Sequence, residues 1–328
     1  MGVGDIEWNY TLIKTLKYFF INNSGISKYE SYKIWSNWII TQSLEPAYNS
    51  FPPKLDSYKE TIIQNIVDKG GIMNETIIFI ELFQKQLESI RPLLIKRKEN
   101  MQVSIDGGEV KYKSICHKVL PNLLLKLQNS YMRGMTTRLF KENLLELLNC
   151  YDLLDGLSYQ WSIPDGVYNA INSYLPIDGE LFASPMNNKN NNYWSLFPVD
   201  KLFGSNGNFF HIKKLDDGVY IANPPFIEKL FIRSSEIILD MFGIGKYTFV
   251  YFMPNWLDSK GYDLLTKSPF YITQLIIKGN THYYYESTHN KYIKVHFDTH
   301  VLFLSNIVSL IPDSLKLGIK RGFSIIRT

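Results

Sequence analysis

Cysteine is scarce in this 328-residue chain: Cys116 and Cys150 are the only two, each alone in a helix-like context. That excludes a disulfide framework and a CxxC metal pair, and it fits a reducing compartment. The N-terminal stretch lacks the short apolar segment of a signal peptide, and Met1-Gly2-Val3-Gly4-Asp5-Ile6 lacks the Ser or Thr of a myristoylation signal. The uncharged stretch from Tyr247 to Leu257 is too short to cross a bilayer, which takes roughly 18 or more apolar residues. These absences predict a soluble intracellular protein with no membrane partner, nuclear or cytoplasmic.

Strong charge is missing too. With 35 basic against 31 acidic residues the net charge is +4, which permits an RNA partner without arguing for one. No segment repeats at a period of about 20 to 50 residues, so a solenoid is not indicated. His282, His289, His296 and His300 match no zinc spacing, and no metal is expected. Gly204-Ser205-Asn206-Gly207 lacks the Lys-Ser/Thr of a phosphate loop. Ala183-Ser184-Pro185 stands where a hydride-transfer enzyme of the α/β class would carry a Gly-rich fingerprint. Ser184 and His282 lack the nucleophile elbow of a hydrolase.

What remains is a chain with enough apolar residues, 45%, for one large domain or two ordinary ones. Its 22 Tyr, 20 Phe and 6 Trp are mostly core, but planar side chains are also what proteins use to stack bases. The first half reads as helix after helix, with apolar stripes at Ile77, Ile80, Leu82, Phe83, Leu87, Ile90 and at Leu139, Leu144, Leu145, Leu147, Leu148 that are expected in the core. Loops are predicted at Phe51-Pro52-Pro53, Asp68-Lys69-Gly70-Gly71 and Asp106-Gly107-Gly108, and the basic run Lys96-Arg97-Lys98 reads as a solvated surface.

Near residue 160 the grammar changes to short apolar runs between turn residues. A helical domain over 1–158 and a mixed α/β domain over 159–328 are therefore expected. After a short helix at Val167 to Tyr174, strands are predicted at Gly179–Ala183, Val219–Ala222, Tyr247–Phe252, Tyr271–Ile277 and His300–Leu304. A helical stripe through Ile227, Leu230, Phe231, Ile237, Ile238, Met241 and Phe242 joins the second to the third. Strand, helix, strand with both strands apolar throughout predicts a buried, mostly parallel sheet. The Asn-, Lys- and Gly-rich stretch Ser184 to Asn208 reads as a flexible surface loop.

The tetrapeptide Asn223-Pro224-Pro225-Phe226 follows the second of these strands directly. Its residue types suit methylation of a planar amino nitrogen, whose lone pair is delocalised and must be made more tetrahedral before it can accept a methyl group. The Asn223 side-chain oxygen and the Pro224 main-chain carbonyl would accept the two amine hydrogens. The prolines fix the backbone after the strand, since each ring holds φ near −65° and Pro225 biases Pro224 toward an extended conformation. Phe226 would supply a stacking face. Ligands in open α/β sheets bind beyond the carboxyl ends of strands, where this motif sits. The same residues also occur as a turn that merely stops a strand, and they suit a glutamine amide as well as adenine.

The neighbours of the motif narrow this. Glu180-Leu181-Phe182-Ala183-Ser184-Pro185-Met186-Asn187, Phe197-Pro198-Val199-Asp200, Phe203-Gly204-Ser205 and Asn223 to Phe226 follow in a characteristic order. Gly156-Leu157 and Ser162-Ile163-Pro164 precede them, and Phe252-Met253-Pro254-Asn255-Trp256, Gln274 to Ile277, His282-Tyr283-Tyr284 and Val301 to Leu304 follow. Over roughly half its length the chain thus resembles the cap-specific adenosine N6-methyltransferase family, also called the phosphorylated C-terminal-domain interacting factor family.

The resemblance implies a helical, RNA- and cap-binding domain on a Rossmann-like class I methyltransferase domain. It implies S-adenosylmethionine as cofactor and capped messenger RNA as partner, with transfer to N6 of the first transcribed (2′-O-methyl)adenosine. By the same resemblance Asn223, Pro224, Pro225 and Phe226 are catalytic. Glu180, Ala183, Ser184, Pro185, Asn187, Asp200, Phe203, Gly204 and Ser205 take the cofactor side. Glu228, Pro254, Asn255 and Trp256 line the substrate side. The chain departs from the family pattern at Asn255, where an acidic residue is expected, and at Met186, where a larger or branched one is usual. No WW module is recognised before the helical half, so coupling to the phosphorylated polymerase tail is not implied. Other RNA, DNA adenine, or a noncatalytic RNA-binding subunit of the same fold are the alternatives.

Overall fold

The computed structural model describes residues 6–45, 55, 58–94, 101–131, 137–154 and 160–324. Phe51-Pro52-Pro53, Lys96-Arg97-Lys98 and Gly156-Leu157 lie outside the described residues. The chain forms two compact units, Met1–Leu124 with Arg133–Leu157, and Leu125–Met132 with Ser158–Thr328.

The first unit contains α1 (Ile6–Asn23), α2 (Lys28–Thr41), α3 (Lys59–Asp68), α4 (Met73–Ile90), the strands β1 (Ser104–Asp106), β2 (Glu109–Tyr112) and β3 (Ile115–Lys118), the start of α5 (Pro121–Ser130), and α6 (Thr137–Leu154). Ser27 starts α2 by accepting a hydrogen bond from the Glu30 amide, as an N-cap serine does. Phe20, Trp35, Trp38, Phe79 and Phe83 interlock edge-on as the core, and the Trp35 indole donates to the Leu153 carbonyl at 2.8 Å. The predicted stripes are partly corrected. Ile80, Phe83, Leu87 and Ile90 are buried, but Ile77, Leu82 and Leu139 are exposed, because these helices carry more apolar residues than one face can bury.

The all-helical reading of this half is also corrected, since β1, β2 and β3 form an antiparallel meander. The predicted loop at Asp106-Gly107-Gly108 is its first turn. Gly107 and Gly108 have φ of 54° and 83° between the paired Asp106 and Glu109, the signature of a type I′ hairpin. Cys116 accordingly lies exposed in a strand rather than a helix.

The second unit contains β4 (Trp161–Ser162), α7 (Asp165–Tyr174), β5 (Gly179–Glu180), β6 (Gly218–Ala222), α8 (Glu228–Met241), β7 (Tyr247–Pro254), α9 (Lys260–Thr266), β8 (Tyr271–Ile277), β9 (Tyr283–Glu286), β10 (Lys291–Lys294), β11 (Thr299–Ser305) and α10 (Asp313–Ser324). Its five-stranded sheet has the order β5-β6-β7-β11-β8. β5, β6 and β7 are parallel, whereas β11 runs against both β7 and β8, so the expectation of a mostly parallel sheet holds for one half only. Apolar runs betray burial on both faces but not strand direction. Along β7, Phe249, Tyr251 and Met253 join the core beneath α8, while Val250 and Phe252 join the core beneath α7 and α10.

β10, β9 and β4 make a second small antiparallel sheet that sequence reasoning did not anticipate, since its strands are two to four residues long. The stretch Ser184 to Asn208 is not the surface loop expected. Its backbone pairs with Glu180 through Asn192 and Trp194, and Tyr193, Phe197 and Phe203 are buried. Asparagine amides do the work of missing strand partners: Asn190 donates to the Ile177 carbonyl at 2.8 Å and Asn192 to that of Asp178 at 2.6 Å.

Candidate active site

Because β5, β6 and β7 are parallel, their carboxyl ends share one edge of the sheet, the place where open α/β sheets hold ligands. β5 ends at Glu180, β6 delivers Asn223, and β7 ends at Pro254. A narrow cleft at this edge is lined by Glu180, Phe182, Ala183, Asn187 and Asn223 together with Trp161, Ser162, Ile163 and Ile221.

Asn223 has one polar atom anchored and one unmet. Its Nδ2 donates to the Trp161 carbonyl at 3.5 Å, which fixes the direction of the amide, and its Oδ1 is buried with no hydrogen-bond partner. The next carbonyls differ in kind. That of Pro225 accepts from the Ile227 amide at 2.7 Å, whereas no described donor is bonded to that of Pro224. Two acceptors in succession, Asn223 Oδ1 and Pro224 O, are thus left for a ligand with two adjacent hydrogens.

Phe226, half-buried, is ringed by aromatics: Phe231 stacked at 6.2 Å between centroids, and Phe297, Tyr284 and Trp256 edge-on at 5.5, 6.3 and 6.4 Å. Trp256, expected from the sequence on a substrate side, thus lies against the motif. Asn255 is exposed and donates its amide to the Asp298 carbonyl at 3.0 Å, and Pro254 closes β7 opposite Thr299. Glu228 faces α9 instead: its Oε1 accepts from Ser259 Oγ at 3.0 Å and the Lys260 amide at 3.1 Å, so it helps start that helix.

Among the residues expected from the sequence on a cofactor side, Ser184 and Asn187 cap each other. The Ser184 amide donates to Asn187 Oδ1 at 2.7 Å and the Asn187 amide to Ser184 Oγ at 3.2 Å, which folds the turn around buried Pro185 and Met186 without glycine. Glu180 is buried, and its Oε1 accepts from the Lys189 amide at 2.5 Å and from the Asn190 amide. Burial raises its carboxyl above the ordinary value; those two amides and the charges of Lys189 and Lys126 pull the other way. Lys126 donates to the carbonyls of Asn188 at 2.7 Å and Met186 at 3.3 Å, and burial pushes its ammonium down to about 8. Asp200 receives the Phe197 amide at 3.0 Å within the 3-10 turn Pro198–Phe203; Gly204 caps that turn at φ 96°, and Ser205 Oγ meets Ser195 Oγ at 2.5 Å. Asp200, Phe203, Gly204 and Ser205 therefore shape the loop, and none of them lines the cleft.

Trp161, Phe182 and Ile221 line the cleft and were not singled out from the sequence. Nothing local marks Trp161, whose strand has two residues. No group of three His, Cys, Asp or Glu among the described residues is placed to hold a metal ion, and no described helix is long and apolar enough to cross a membrane.

Fold and site together define an α/β protein with a cleft at the carboxyl edge of parallel strands beside a pair of hydrogen-bond acceptors. A family profile described as "Phosphorylated CTD interacting factor 1 WW domain" matches residues 122–287, half of the chain, and the chain belongs to that family. It is 31% identical over 166 residues to a human protein, and 30% identical to a mouse protein, each named mRNA (2′-O-methyladenosine-N(6)-)-methyltransferase. Those alignments cover 47% of this chain and 23% of each relative, so the shared part is under a quarter of their length.

Proposed function

We propose that this chain is an S-adenosylmethionine-dependent RNA adenine N6-methyltransferase acting on the first transcribed 2′-O-methyladenosine of capped messenger RNA. The observation that carries the reading is the buried, partnerless Asn223 Oδ1 at the head of Asn-Pro-Pro-Phe, at the end of a parallel strand. A buried acceptor left unmet costs about 1–3 kcal/mol, so a substrate donor at that point relieves a cost the protein alone carries. The names of the human and mouse relatives supply the substrate class.

On this reading the second unit is the Rossmann-like methyltransferase domain, and the helical unit, read from the sequence as 1–158, binds RNA and cap. The bound cofactor would supply an electrophilic methyl group on a sulfonium. Glu180, Phe182, Ala183 and Asn187 at the cleft would hold it, with Ser184, Pro185 and the turn at Asp200, Phe203, Gly204 and Ser205 keeping that wall in shape. A wall of two apolar side chains, one carboxyl and one amide, with no positively charged side chain lining it, fits a cationic sulfonium.

Asn223 Oδ1 and Pro224 O would each accept one N6 hydrogen, turning the nitrogen lone pair toward the methyl group and favouring positive charge as it develops on nitrogen. Phe226, braced by Trp256, Phe231, Tyr284 and Phe297, would hold the base plane. Once methylated, the amine releases a proton to water, so neither a metal nor a deep general base is required.

The test is transfer of labelled methyl from S-adenosylmethionine to matched capped and uncapped RNAs beginning with A or G, followed by nucleoside analysis. Label confined to N6-methyladenosine at the first position of capped RNA is expected. Equal labelling of capped and uncapped RNA would remove the cap requirement, and failure to bind the cofactor would sink the enzyme reading.

A further inference from the structure

We propose that Trp161 is a specificity-determining residue of the acceptor site, its indole N–H donating to the ring nitrogen that flanks the amine held by Asn223. This rests on the methyltransferase reading and adds to it a second polar contact to the base. The starting point is a coincidence of unmet groups. Trp161 lines the same cleft as Asn223, and its Nε1 is buried with no acceptor. An indole nitrogen can only donate, as the Asn223 oxygen can only accept. Buried polar groups are ordinarily satisfied, so an orphan of each sense on two residues that line one cleft fits a ligand that offers a donor beside an acceptor.

Adenine has that edge. Its N6 amine is flanked by N1 and N7, both acceptors. The guanine amine is flanked by a donating N1–H on one side, which would meet the indole N–H donor to donor, and by the acceptor N3 on the other, and the cytosine amine by the acceptor N3, so this contact disfavours guanine in one orientation only. An aliphatic amine offers no flanking acceptor at all.

The two residues are also neighbours, with Asn223 Nδ2 donating to the Trp161 carbonyl at 3.5 Å. β4 pairs Trp161 with Glu286 of β9, and the indole lies 6.2 Å from the Tyr284 ring, which in turn stands edge-on to Phe226. A single network thus joins the acceptor, the donor and the stacking ring.

The experiment measures kcat/KM for methyl transfer to capped RNA whose first nucleoside is adenosine, 1-deazaadenosine or 7-deazaadenosine, with the unaltered protein and with Trp161→Phe. Phenylalanine keeps a ring against Tyr284 while removing the donor and part of the indole, so the deaza comparison within each protein, not the rate alone, isolates the donor. One of the two deaza substrates is expected to react about 5- to 100-fold more slowly with the unaltered protein, the usual worth of one specific base contact. Trp161→Phe should lose about the same factor on adenosine and treat that deaza substrate and adenosine alike.

Equal rates on all three substrates with the unaltered protein would overturn the proposal, and this arm needs no variant to fold. A deaza penalty that survives undiminished in Trp161→Phe would overturn it too. So would a rise in KM for S-adenosylmethionine in the variant with the deaza penalty intact, which would assign the indole to the cofactor. Failure of the unaltered protein to methylate any RNA would remove the methyltransferase reading itself, and this inference with it.

Discussion

Asn223 does little for the stability of the protein that contains it. Its anchoring bond to Trp161 is long at 3.5 Å and its oxygen is unsatisfied, so replacing it removes an interaction of little worth and an existing cost. Asn223→Ala is therefore expected to lower methyl transfer by about 100-fold or more while leaving unfolding free energy within about 0.5 kcal/mol of the original, read by initial rates and urea titration. Full activity in this variant would mean that the amine clamp is misplaced. Glu228 contrasts with it, because its carboxylate already accepts from Ser259 and Lys260. Glu228→Ala should destabilise the start of α9 by about 0.5–2 kcal/mol, the usual worth of a helix N-terminal acceptor, detectable as a lowered urea midpoint. Unchanged stability would free Glu228 for a direct substrate role.

At the scale of elements, the approach of α7 to α10 depends on glycine. A Cβ at Gly322 would lie 2.4 Å from the carbonyl carbon of Gly166 and the amide of Val167, both backbone atoms that cannot swing aside. Gly322→Ala is expected to cost about 1–3 kcal/mol by overpacking; Gly318→Ala, facing only the Ala170 methyl at 3.2 Å, should cost less. Equal stability of the two variants in urea titration would refute that packing.

Lys126 on α5 carries a second element-scale consequence. Its value near 8 lies below the roughly 10.4 of an unfolded lysine, so the folded state sheds its proton first. The penalty of burying the ammonium is present in full below about pH 8 and is relieved as pH rises toward 10. Unfolding free energies measured at pH 8 and pH 10 should therefore rise for the original protein relative to Lys126→Met. The opposite trend would mean that the ammonium is not desolvated.

Over the whole molecule, the second unit should be acid-sensitive through two histidines. His282 is buried between the Lys278 carbonyl and Thr299 Oγ1, and His300 lies against Gln274 Oε1; burial lowers both below the usual range. The unfolded chain takes up these protons near pH 6.5, whereas the folded chain resists until lower pH. The stability they contribute as neutral rings is complete above pH 6.5 and is lost as pH falls below it. The melting temperature should drop between pH 7 and pH 5.5, and drop less in a His282→Gln/His300→Gln variant. An equal drop in both would place the acid sensitivity elsewhere.

The amino-acid sequence by itself determined the residue chemistry and the longer elements. Asn-Pro-Pro-Phe at a strand end, the apolar α8 stripe, and the runs of β6, β7, β8 and β11 are local patterns set by periodicity and backbone restriction. Tertiary structure decided what periodicity cannot carry. The strands of β4, β9, β10 and the β1–β3 meander are too short to show a period, and the reversed direction of β11 follows from which neighbour it bonds. The asparagine-rich stretch after Glu180 is ordered because distant carbonyls need its amides. The site was decided at the same level. Parallel pairing gathers Glu180, Asn223 and Pro254 at one edge, and only the packed chain shows that Asn223 and Trp161 each keep one polar atom unmet. Hydrogen-bond satisfaction belongs to the whole surroundings of an atom, and no stretch of sequence contains them.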